Sequence, residues 1–258
     1  MRHHHPHNKQ WHLNPLQANL VAAAGEFVGT FLFLFFGYGG HIMAVSQSAS
    51  NGDSPAHTVI FVALSYGFSL LVTAWSFYRI SGGLFNPAVT FGLCSAGQLS
   101  WTRGAFLILS QLVACICAGG IVSAMFPPDI SLVNTLLAPG VNTAQGFFME
   151  MFFTSYLVFV VLMLAIEKSK DTFIAPIGIG LALFVAEIPG VYFTGGSLNP
   201  ARSFGCAVAA RSFPGYHWIY WFGPLMGAVV AAGFYRFVKR CHYEEANPGQ
   251  DDSTAEEV

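Results

Sequence analysis

Charged side chains are scarce in this chain of 258 residues. Only 9% of the residues are Asp, Glu, Lys or Arg, whereas 54% are hydrophobic. So few ionisable groups cannot cover the surface of a soluble globule of this size. The composition therefore excludes an ordinary soluble domain and indicates a protein embedded in lipid, and we expect no nucleic acid among its partners.

The sequence also lacks the residue patterns of several kinds of site. Its five cysteines have no metal-ligand spacing and do not suggest an external disulfide. No Gly-x-Ser-x-Gly stretch accompanies a membrane histidine, as an intramembrane hydrolase would need. Nor do the apolar runs contain a coupling-ion site beyond two glutamates. We therefore expect no catalytic residues, no metal and no cofactor, and neither an enzyme nor an ion-coupled transporter.

Long apolar runs dominate the sequence. A helix needs about 20 residues to cross a hydrocarbon core. Runs that meet or approach this length lie at residues 20–45, 59–77, 104–125, 146–166, 173–186 and 218–238. They predict an all-α membrane protein with six transmembrane helices, of which the fifth is short and contains Pro176.

Positive charge is divided unevenly between the two ends of these helices. Six spans put both termini on one side, and nine of the eleven Lys and Arg residues fall there, leaving Arg202 and Arg211 on the other side. The positive-inside rule assigns the first side to the cytosol. We predict a single multi-pass membrane domain at residues 20–240 in the plasma membrane, with cytosolic tails at residues 1–19 and 241–258, the second acidic and disordered.

A Gly-Gly-x-x-Asn-Pro-Ala peptide occurs twice, at residues 82–88 and 195–201. Each copy follows, by two spans, a glutamate near the start of an apolar run, Glu26 or Glu150. Each unit contains an odd number of spans, so the units at about residues 20–126 and 144–240 must have opposite orientations in the bilayer. We predict an inverted repeat with two re-entrant half-helices that meet at the midplane.

The doubled peptide has the features of a helix that starts inside the membrane. Pro87 and Pro200 suit a first helical turn, and Asn86 and Asn199 suit the N-cap positions before them. The half-helices would point their positive ends at each other. Irregular backbone at this depth must be buried in protein or line a wet cavity. The backbone carbonyls expected to line that cavity belong to Gly82, Gly83, Leu84, Phe85, Gly195, Gly196, Ser197 and Leu198.

Such a site suits a small neutral molecule with a lone pair. A water molecule there would present its oxygen to both asparagine amides and turn its hydrogens away, which interrupts a proton wire. The positive field of the two helix ends would oppose cations. The predicted site therefore passes water-like solutes and resists protons and ions.

Together these features resemble the aquaporin (major intrinsic protein) family in its water-selective form. The resemblance covers about residues 20–238 and includes both motifs, with Ala88 and Ala201, and the stretch "NPARSFG". It also includes Glu26, Glu150 and Gln111, which it implies support the re-entrant loops. The family implies a homotetramer in which each subunit has its own hourglass pore, with water as permeant and no cofactor.

The resemblance places a four-residue selectivity filter at Tyr66, Glu187, Gly196 and Arg202. Water-selective members usually have an aromatic residue and a histidine at the first two positions, so Tyr66 matches in kind and Glu187 does not. Arg202 is the residue expected at its position. His41, near the outer end of the first span, is interpreted as an ordinary surface or packing residue.

Glu187 leaves three interpretations open. It occupies the volume of the usual histidine, hydrated or paired with Arg202. Alternatively it neutralises Arg202 and, beside the small Gly196, makes a filter that also passes hydrogen peroxide or another small neutral solute. The third interpretation is gating by its protonation.

Marker positions after the second motif favour water over glycerol. Glycerol facilitators resemble Asn-Pro-Ala-Arg-Asp there, followed by a basic residue and later by a Pro-Leu-like pair. This sequence has Ser203, Ala207 and the pair Tyr220-Trp221 at these positions. A non-conducting junctional protein of the same fold remains an alternative.

Overall fold

The computed structural model describes residues 13–52 and 54–246, and this part of the chain is helical without β-strands. Six of its helices are long and apolar enough to cross a membrane. In chain order the α-helices are α1 (Pro15–Asn51), α2 (Pro55–Phe77), α3 (Pro87–Ser95), α4 (Trp101–Met125), α5 (Thr143–Val161), α6 (Ala175–Thr194), α7 (Pro200–Ala209) and α8 (Ile219–Arg240). A π-helical turn, Leu162–Ile166, extends α5. Most of both predicted tails lies outside the described residues.

Matching polar caps start the two halves of the chain. Asn14 precedes α1, where its side chain accepts from the Gln17 N–H at 2.9 Å and its own N–H donates to the Gln17 side chain at 3.0 Å. Asn142 and Gln145 form the same reciprocal pair before α5, at 2.9 Å in both directions. These capping boxes satisfy N–H groups that a helix start leaves unpaired. They explain why α1 begins before the predicted apolar run at residue 20.

The fifth transmembrane helix is longer than predicted. The apolar run was expected to end at residue 186, but α6 continues to Thr194 with Pro189 inside it. Pro189 removes one backbone donor, a loss that transmembrane helices tolerate. In the last turn the Gly190 carbonyl accepts from the Thr194 hydroxyl at 3.0 Å and from the Gly196 N–H at 2.9 Å. The extension places Glu187 inside the helix.

The packing of the helices follows the inverted repeat. Helix α1 packs against α2 and α4, and in the second half α5 packs against α6 and α8. Each half-helix packs on a long helix of the other half, α7 on α4 and α3 on α8, while α2 and α6 pack on each other. Exchanging α1–α4 for α5–α8 therefore reproduces the same set of neighbours. The predicted fold of six spanning helices and two half-helices is confirmed.

Glycines allow the half-helices and α6 to approach their neighbours. A Cβ added to Gly205 in α7 would lie 2.4 Å from the Cys115 carbonyl oxygen in α4. A Cβ on Gly180 in α6 would lie 2.7 Å from the Gly67 carbonyl oxygen in α2. Small residues permit such close contact in membranes, where van der Waals packing contributes strongly to helix association. These contacts fix the half-helices at the centre of the bundle.

One face of the bundle, here called the terminal face, carries both ends of the described chain. The Arg103 side chain at the start of α4 donates to Asn19 in α1 at 3.4 Å. At the same face Glu167, just after α5, pairs with Lys239 near the end of α8 at 3.0 Å. Glu167 also accepts hydrogen bonds from the hydroxyls of Tyr235 and Tyr243.

Partial burial alone would raise the pKa of Glu167. Hydrogen bonds from Tyr235 and Lys239, together with the charge of Lys239, instead hold this pKa below its ordinary value. A carboxyl group whose folded pKa is lowered stabilises the fold above its unfolded pKa. That stabilisation is lost as the pH falls through the folded pKa.

Glu167→Gln is expected to lower the free energy of unfolding by about 1 kcal/mol or less at about pH 7, because a neutral amide cannot replace the partly exposed ion pair. The difference from the parent should shrink towards zero once the pH is below the folded pKa of Glu167, where this carboxyl group is protonated in both the folded and the unfolded state. Thermal unfolding of the detergent-purified protein measures both quantities. Glu244→Gln is the matched control, since Glu244 is the other carboxylate that pairs with Lys239. Glu244 is more exposed than Glu167, so its loss should cost less. Equal losses in both variants, or a loss that persists in acid, would contradict this account.

Candidate functional site

Asn86 and Asn199 cap the two half-helices. The side-chain oxygen of Asn86 accepts from the Ala88 N–H at 2.8 Å, and that of Asn199 accepts from the Ala201 N–H at 2.9 Å. Pro87 begins α3, and Pro200 takes the same place in α7. Each motif therefore forms a helix start in which the proline lacks only a donor that would have no helical partner.

The same asparagines also join the two half-helices to each other. The Asn86 amide nitrogen donates to the Leu198 carbonyl at 2.8 Å, and the Asn199 amide nitrogen donates to the Phe85 carbonyl at 2.9 Å. A side-chain amide carries two N–H donors. Each asparagine thus uses its oxygen on its own helix and one N–H on the opposite loop, and its second N–H has no hydrogen-bond partner among the described residues.

Phe85 and Leu198, which precede the asparagines, have an unusual backbone conformation. Their φ angles are 52° and 50°, in the left-handed region that costs non-glycine residues about 1–2 kcal/mol. Buried carboxylates hold both positions: the Phe85 N–H donates to Glu26 at 2.7 Å and the Leu198 N–H donates to Glu150 at 2.8 Å. The sequence did not predict this strain. Its only signal was that two non-glycine residues separate the glycine pair of each motif from the asparagine that caps the half-helix.

Glu26 holds the first loop through several hydrogen bonds. It accepts from the Leu84 N–H at 3.0 Å and from the Ser81 hydroxyl at 2.7 Å. Gln111 in α4 donates to Glu26 at 2.7 Å and to the Thr90 hydroxyl in α3 at 2.9 Å. Glu26 and Gln111 are both completely buried. One carboxylate and one amide thereby connect α1, α4 and α3.

Glu150 holds the second loop in a similar way. It accepts from the Ser197 N–H at 3.1 Å and from the Thr194 hydroxyl at 2.6 Å. A different residue provides the support from the last helix, since the Tyr220 hydroxyl donates to the Thr194 carbonyl at 2.8 Å. The two halves therefore share the carboxylate but not the residue on the neighbouring long helix.

A cavity of about 280 Å³ passes both asparagines. Tyr78 and Lys168 line it at the terminal face, and Tyr66, Glu187 and Arg202 line it on the other side of the asparagines. The apolar part of its wall includes Phe33, Leu70, Ala74, Val89, Leu157, Val161, Ile179 and Leu183. The cavity is therefore an apolar passage with polar groups at its two ends and at the asparagines.

Seven of the eight residues expected to provide backbone carbonyls divide into two groups, and Gly196 belongs to neither. Residues of the first group line the cavity, namely Gly82, Gly83, Leu84 and Ser197. The carbonyls of Phe85 and Leu198 instead accept from the opposite asparagine, and that of Gly195 accepts from Arg202 at 3.2 Å. These three carbonyls are thus already engaged within the protein.

Arg202 is 1% exposed and is surrounded by acceptors and aromatic rings. Its guanidinium donates to the Val133 carbonyl at 2.6 Å and lies 4.8 Å from the centre of the Tyr66 ring. His41 is 3.3 Å from the guanidinium, through its Nδ1 atom. The interpretation of His41 as an ordinary surface or packing residue was therefore incomplete, because this histidine is 6% exposed and contacts a predicted filter residue.

Glu187 is 1% exposed, and its Oε2 atom has no hydrogen-bond partner within the described residues. Among those residues it also has no ion pair with Arg202 within 4.0 Å. A Cβ added to Gly196 would lie 1.8 Å from this oxygen. The carboxylate thus fills the space left by a missing side chain, and the paired arrangement considered from the sequence is not observed.

Gly196→Ala should destabilise the protein for two reasons. Gly196 has a φ of 62°, which costs alanine about 1–2 kcal/mol, and the new Cβ would collide with Glu187. In a Glu187→Ala background the collision with the carboxylate is removed, while the backbone cost and a 3.2 Å contact with Val191 remain. The two changes should therefore be coupled by about 1 kcal/mol in a double-mutant cycle of unfolding free energies. Gly140→Ala is the matched control, because Gly140 has a φ of 87° and no neighbour within 4 Å. Additive effects of Gly196→Ala and Glu187→Ala would show that the predicted collision does not occur.

Comparisons with known proteins agree with this architecture. The family model described as major intrinsic protein matches residues 15–235. Probable aquaporin-3 of Gibberella zeae is 67% identical over 93% of this chain and 85% of its own length. Aquaporin-7 of Botryotinia fuckeliana is 52% identical over 98% of this chain, which spans 56% of that relative's length.

A solved structure shares the fold. The X-ray structure of the aquaglyceroporin from Plasmodium falciparum matches with a TM-score of 0.73 at 24% identity, covering 89% of this chain and all of that one. At this identity the likeness concerns the fold alone. The family match and the sequence relatives together show that this chain belongs to the major intrinsic protein family, the aquaporins, which are membrane channels and not enzymes.

Proposed function

We propose that this chain is a passive water channel that conducts molecules in single file past its two Asn-Pro-Ala motifs. One observation carries the proposal: Asn86 and Asn199 each have one uncommitted amide N–H in the wall of a continuous cavity. Two donors at one point orient the oxygen of a passing water molecule and turn its hydrogens towards its neighbours in the file. This orientation interrupts proton transfer along the file.

The electrostatics of the passage support exclusion of ions. The N-termini of α3 and α7 meet at the asparagines, and a helix N-terminus carries about half a positive charge. Arg202 adds a full positive charge to the wall between this point and the outer face. Cations would meet both barriers, and an anion would have to shed its water against the apolar lining.

The pore would be lined by several of the residues that the sequence indicated. We assign the filter to Tyr66, Glu187, Gly196 and Arg202, and support of the loops to Glu26, Glu150 and Gln111. A neutral solute would find further acceptors at the carbonyls of Gly82, Gly83, Leu84 and Ser197.

Water is favoured over glycerol by the residues after the second motif. Ser203 occupies the position of an aspartate in glycerol facilitators, and its hydroxyl lies 2.6 Å from that of Ser197 and 3.0 Å from that of Thr135. This position is thus uncharged and packed inside the loop. Tyr66 and Arg202, in cation–π contact, narrow the outer end of the cavity from one side.

A broader channel for small neutral solutes, hydrogen peroxide or glycerol, is the second candidate. The observation that favours it is the buried Oε2 atom of Glu187, which has no partner within the described residues and could accept a hydrogen bond from a hydroxyl-bearing solute. The absence of a side chain at Gly196 gives this carboxylate its place beside the passage. A non-conducting junctional protein would show no flux of either solute.

The proposed assembly is a homotetramer of channel domains, each about residues 20–240, in the plasma membrane. The terminal face would be cytosolic, because Arg103, Lys168 and Lys239 belong to it and cations concentrate on the cytosolic side of membrane proteins. Large apolar side chains such as Phe36 and Phe152 are exposed on the outside of the subunit and would face lipid or neighbouring subunits.

The test is stopped-flow light scattering of proteoliposomes that contain the purified protein. An impermeant osmolyte should produce shrinkage much faster than in protein-free liposomes, and a glycerol gradient should produce no fast recovery. Leu183→Trp is the matched control, because it fills the cavity wall and should abolish the fast phase while the protein still folds. Rapid glycerol entry would favour the second candidate, and the absence of fast flux for both solutes would overturn the channel proposal.

Glu187→His separates the two candidate selectivities. If the chain is selective for water, the variant should retain fast water flux and exclude glycerol and hydrogen peroxide as the parent does. If Glu187 admits other solutes, the ratio of peroxide to water permeability should fall by about tenfold, which corresponds to about 1.4 kcal/mol in relative barrier height. Peroxide entry into liposomes loaded with a fluorescent probe gives this ratio.

A further inference from the structure

His41 lies where three parts of the fold meet at the outer end of the cavity. It belongs to α1, whose residues Phe36 and Met43 are 59% and 47% exposed on the lipid side, yet His41 itself faces inward and is 6% exposed. Its Nδ1 atom is 3.3 Å from an Arg202 guanidinium nitrogen and 3.4 Å from the Tyr66 hydroxyl oxygen. One ring nitrogen thus contacts filter residues from both halves of the chain.

The chemistry of these contacts defines the state of the imidazole. A guanidinium has donors and no acceptor, so Nδ1 must be the acceptor and the ring proton must lie on Nε2. The Arg202 nitrogen that contacts His41 has one further acceptor, the Gly195 carbonyl at 3.2 Å. The other terminal nitrogen is held by the Val133 carbonyl at 2.6 Å. His41 therefore provides one of two acceptors for the first nitrogen, and the only one from α1.

Glu187 is the competitor for this guanidinium. It lines the same cavity, it is buried, and its Oε2 atom has no partner within the described residues. Opposite charges at a buried site attract strongly because little water screens them. Even so, no ion pair joins Glu187 to Arg202 within 4.0 Å in the described part of the chain. The guanidinium is held instead by other acceptors, among them the Val133 carbonyl, the Gly195 carbonyl and His41 Nδ1.

We propose that His41 is a positioning residue that keeps the Arg202 guanidinium on its own side of the passage and so prevents it from pairing with Glu187 across the opening. This inference rests on the proposed channel function. Without the His41 acceptor, Arg202 turns towards Glu187, and the resulting ion pair closes the constriction. His41 thereby determines the width of the passage although it does not line the cavity.

The test is a set of variants measured for osmotic water flux in proteoliposomes. His41→Ala should lower the water permeability by about tenfold. His41→Asn should restore it, because the asparagine side-chain oxygen can take the place of Nδ1 as an acceptor. Glu187→Gln in the His41→Ala background should also restore it, since a neutral amide removes the attraction. His57→Ala is the control: His57 is an exposed histidine on α2 and its loss should leave the flux unchanged.

A merely structural role of His41 would give a different pattern. His41→Ala would then lower the flux regardless of residue 187, and Glu187→Gln would not suppress it, which would overturn the proposal. A water flux that is unchanged in His41→Ala while the parent conducts would overturn it as well and leave the channel function intact.

A second measurement does not depend on conduction. The unfolding free energies of the parent, His41→Ala, Glu187→Gln and the double variant form a cycle. The new ion pair should appear as a coupling energy, because it can form only in His41→Ala with Glu187 present. Strictly additive values would contradict the proposal even if the parent failed to conduct, whereas failure of the parent to conduct would count against the channel function alone.

Discussion

The structure depends on satisfying backbone N–H groups that lie at membrane depth outside any helix. Water is absent from the hydrocarbon core, and an unpaired buried donor costs about 1–3 kcal/mol. Glu26 and Glu150 solve this problem by accepting the N–H groups of Leu84 and Phe85 in one loop and of Ser197 and Leu198 in the other. Because a carboxylate offers acceptors alone, two adjacent donors can bind to it without conflict.

The position of the asparagines follows from these carboxylates. Holding Phe85 and Leu198 at positive φ turns the chain so that the next residue caps a half-helix and reaches the opposite loop. The two loops then brace each other through a reciprocal pair of amide–carbonyl hydrogen bonds. Each asparagine amide has two N–H donors and uses one of them in this pair. The second N–H is the donor that would orient a water molecule in the proposed function.

The repeat is symmetric in backbone and asymmetric in chemistry. Asn86 caps Val89 at 3.4 Å as Asn199 caps Arg202 at 3.3 Å, so an apolar side chain and a cation occupy equivalent positions. Of these two positions, only that of Arg202 places a charge in the cavity wall, on the side of the asparagines away from the terminal face. His41 in α1 and Tyr66 in α2 contact the Arg202 guanidinium, and Glu187 in α6 lines the same cavity, so the surroundings of this charge combine residues from both halves of the chain.

Much of this architecture could be predicted from the sequence, because the spans and half-helices depend on local signals. The length of the apolar runs predicted the six spanning helices. The doubled Asn-Pro-Ala motif predicted where the two half-helices begin. The predicted end of the fifth span at residue 186 was wrong, because the helix continues past the polar Glu187 and past Pro189 to Thr194. The contact of His41 with Arg202 could not be predicted, since it joins residues far apart in the sequence and periodicity carries no information about such pairs. The unpaired state of Glu187 is likewise a property of the packed bundle.

The most direct test of the central role of the buried carboxylates is the osmotic water permeability of Glu150→Gln in proteoliposomes. The account predicts a loss of about tenfold or more with helical circular dichroism retained, because glutamine replaces one of the two carboxylate oxygens by a donor, so that either the Ser197 or the Leu198 N–H loses its acceptor and the loop is released. Glu167→Gln, the same substitution at the terminal face, should conduct like the parent. Unchanged permeability in Glu150→Gln would contradict the claim that this carboxylate sets the position of the asparagines.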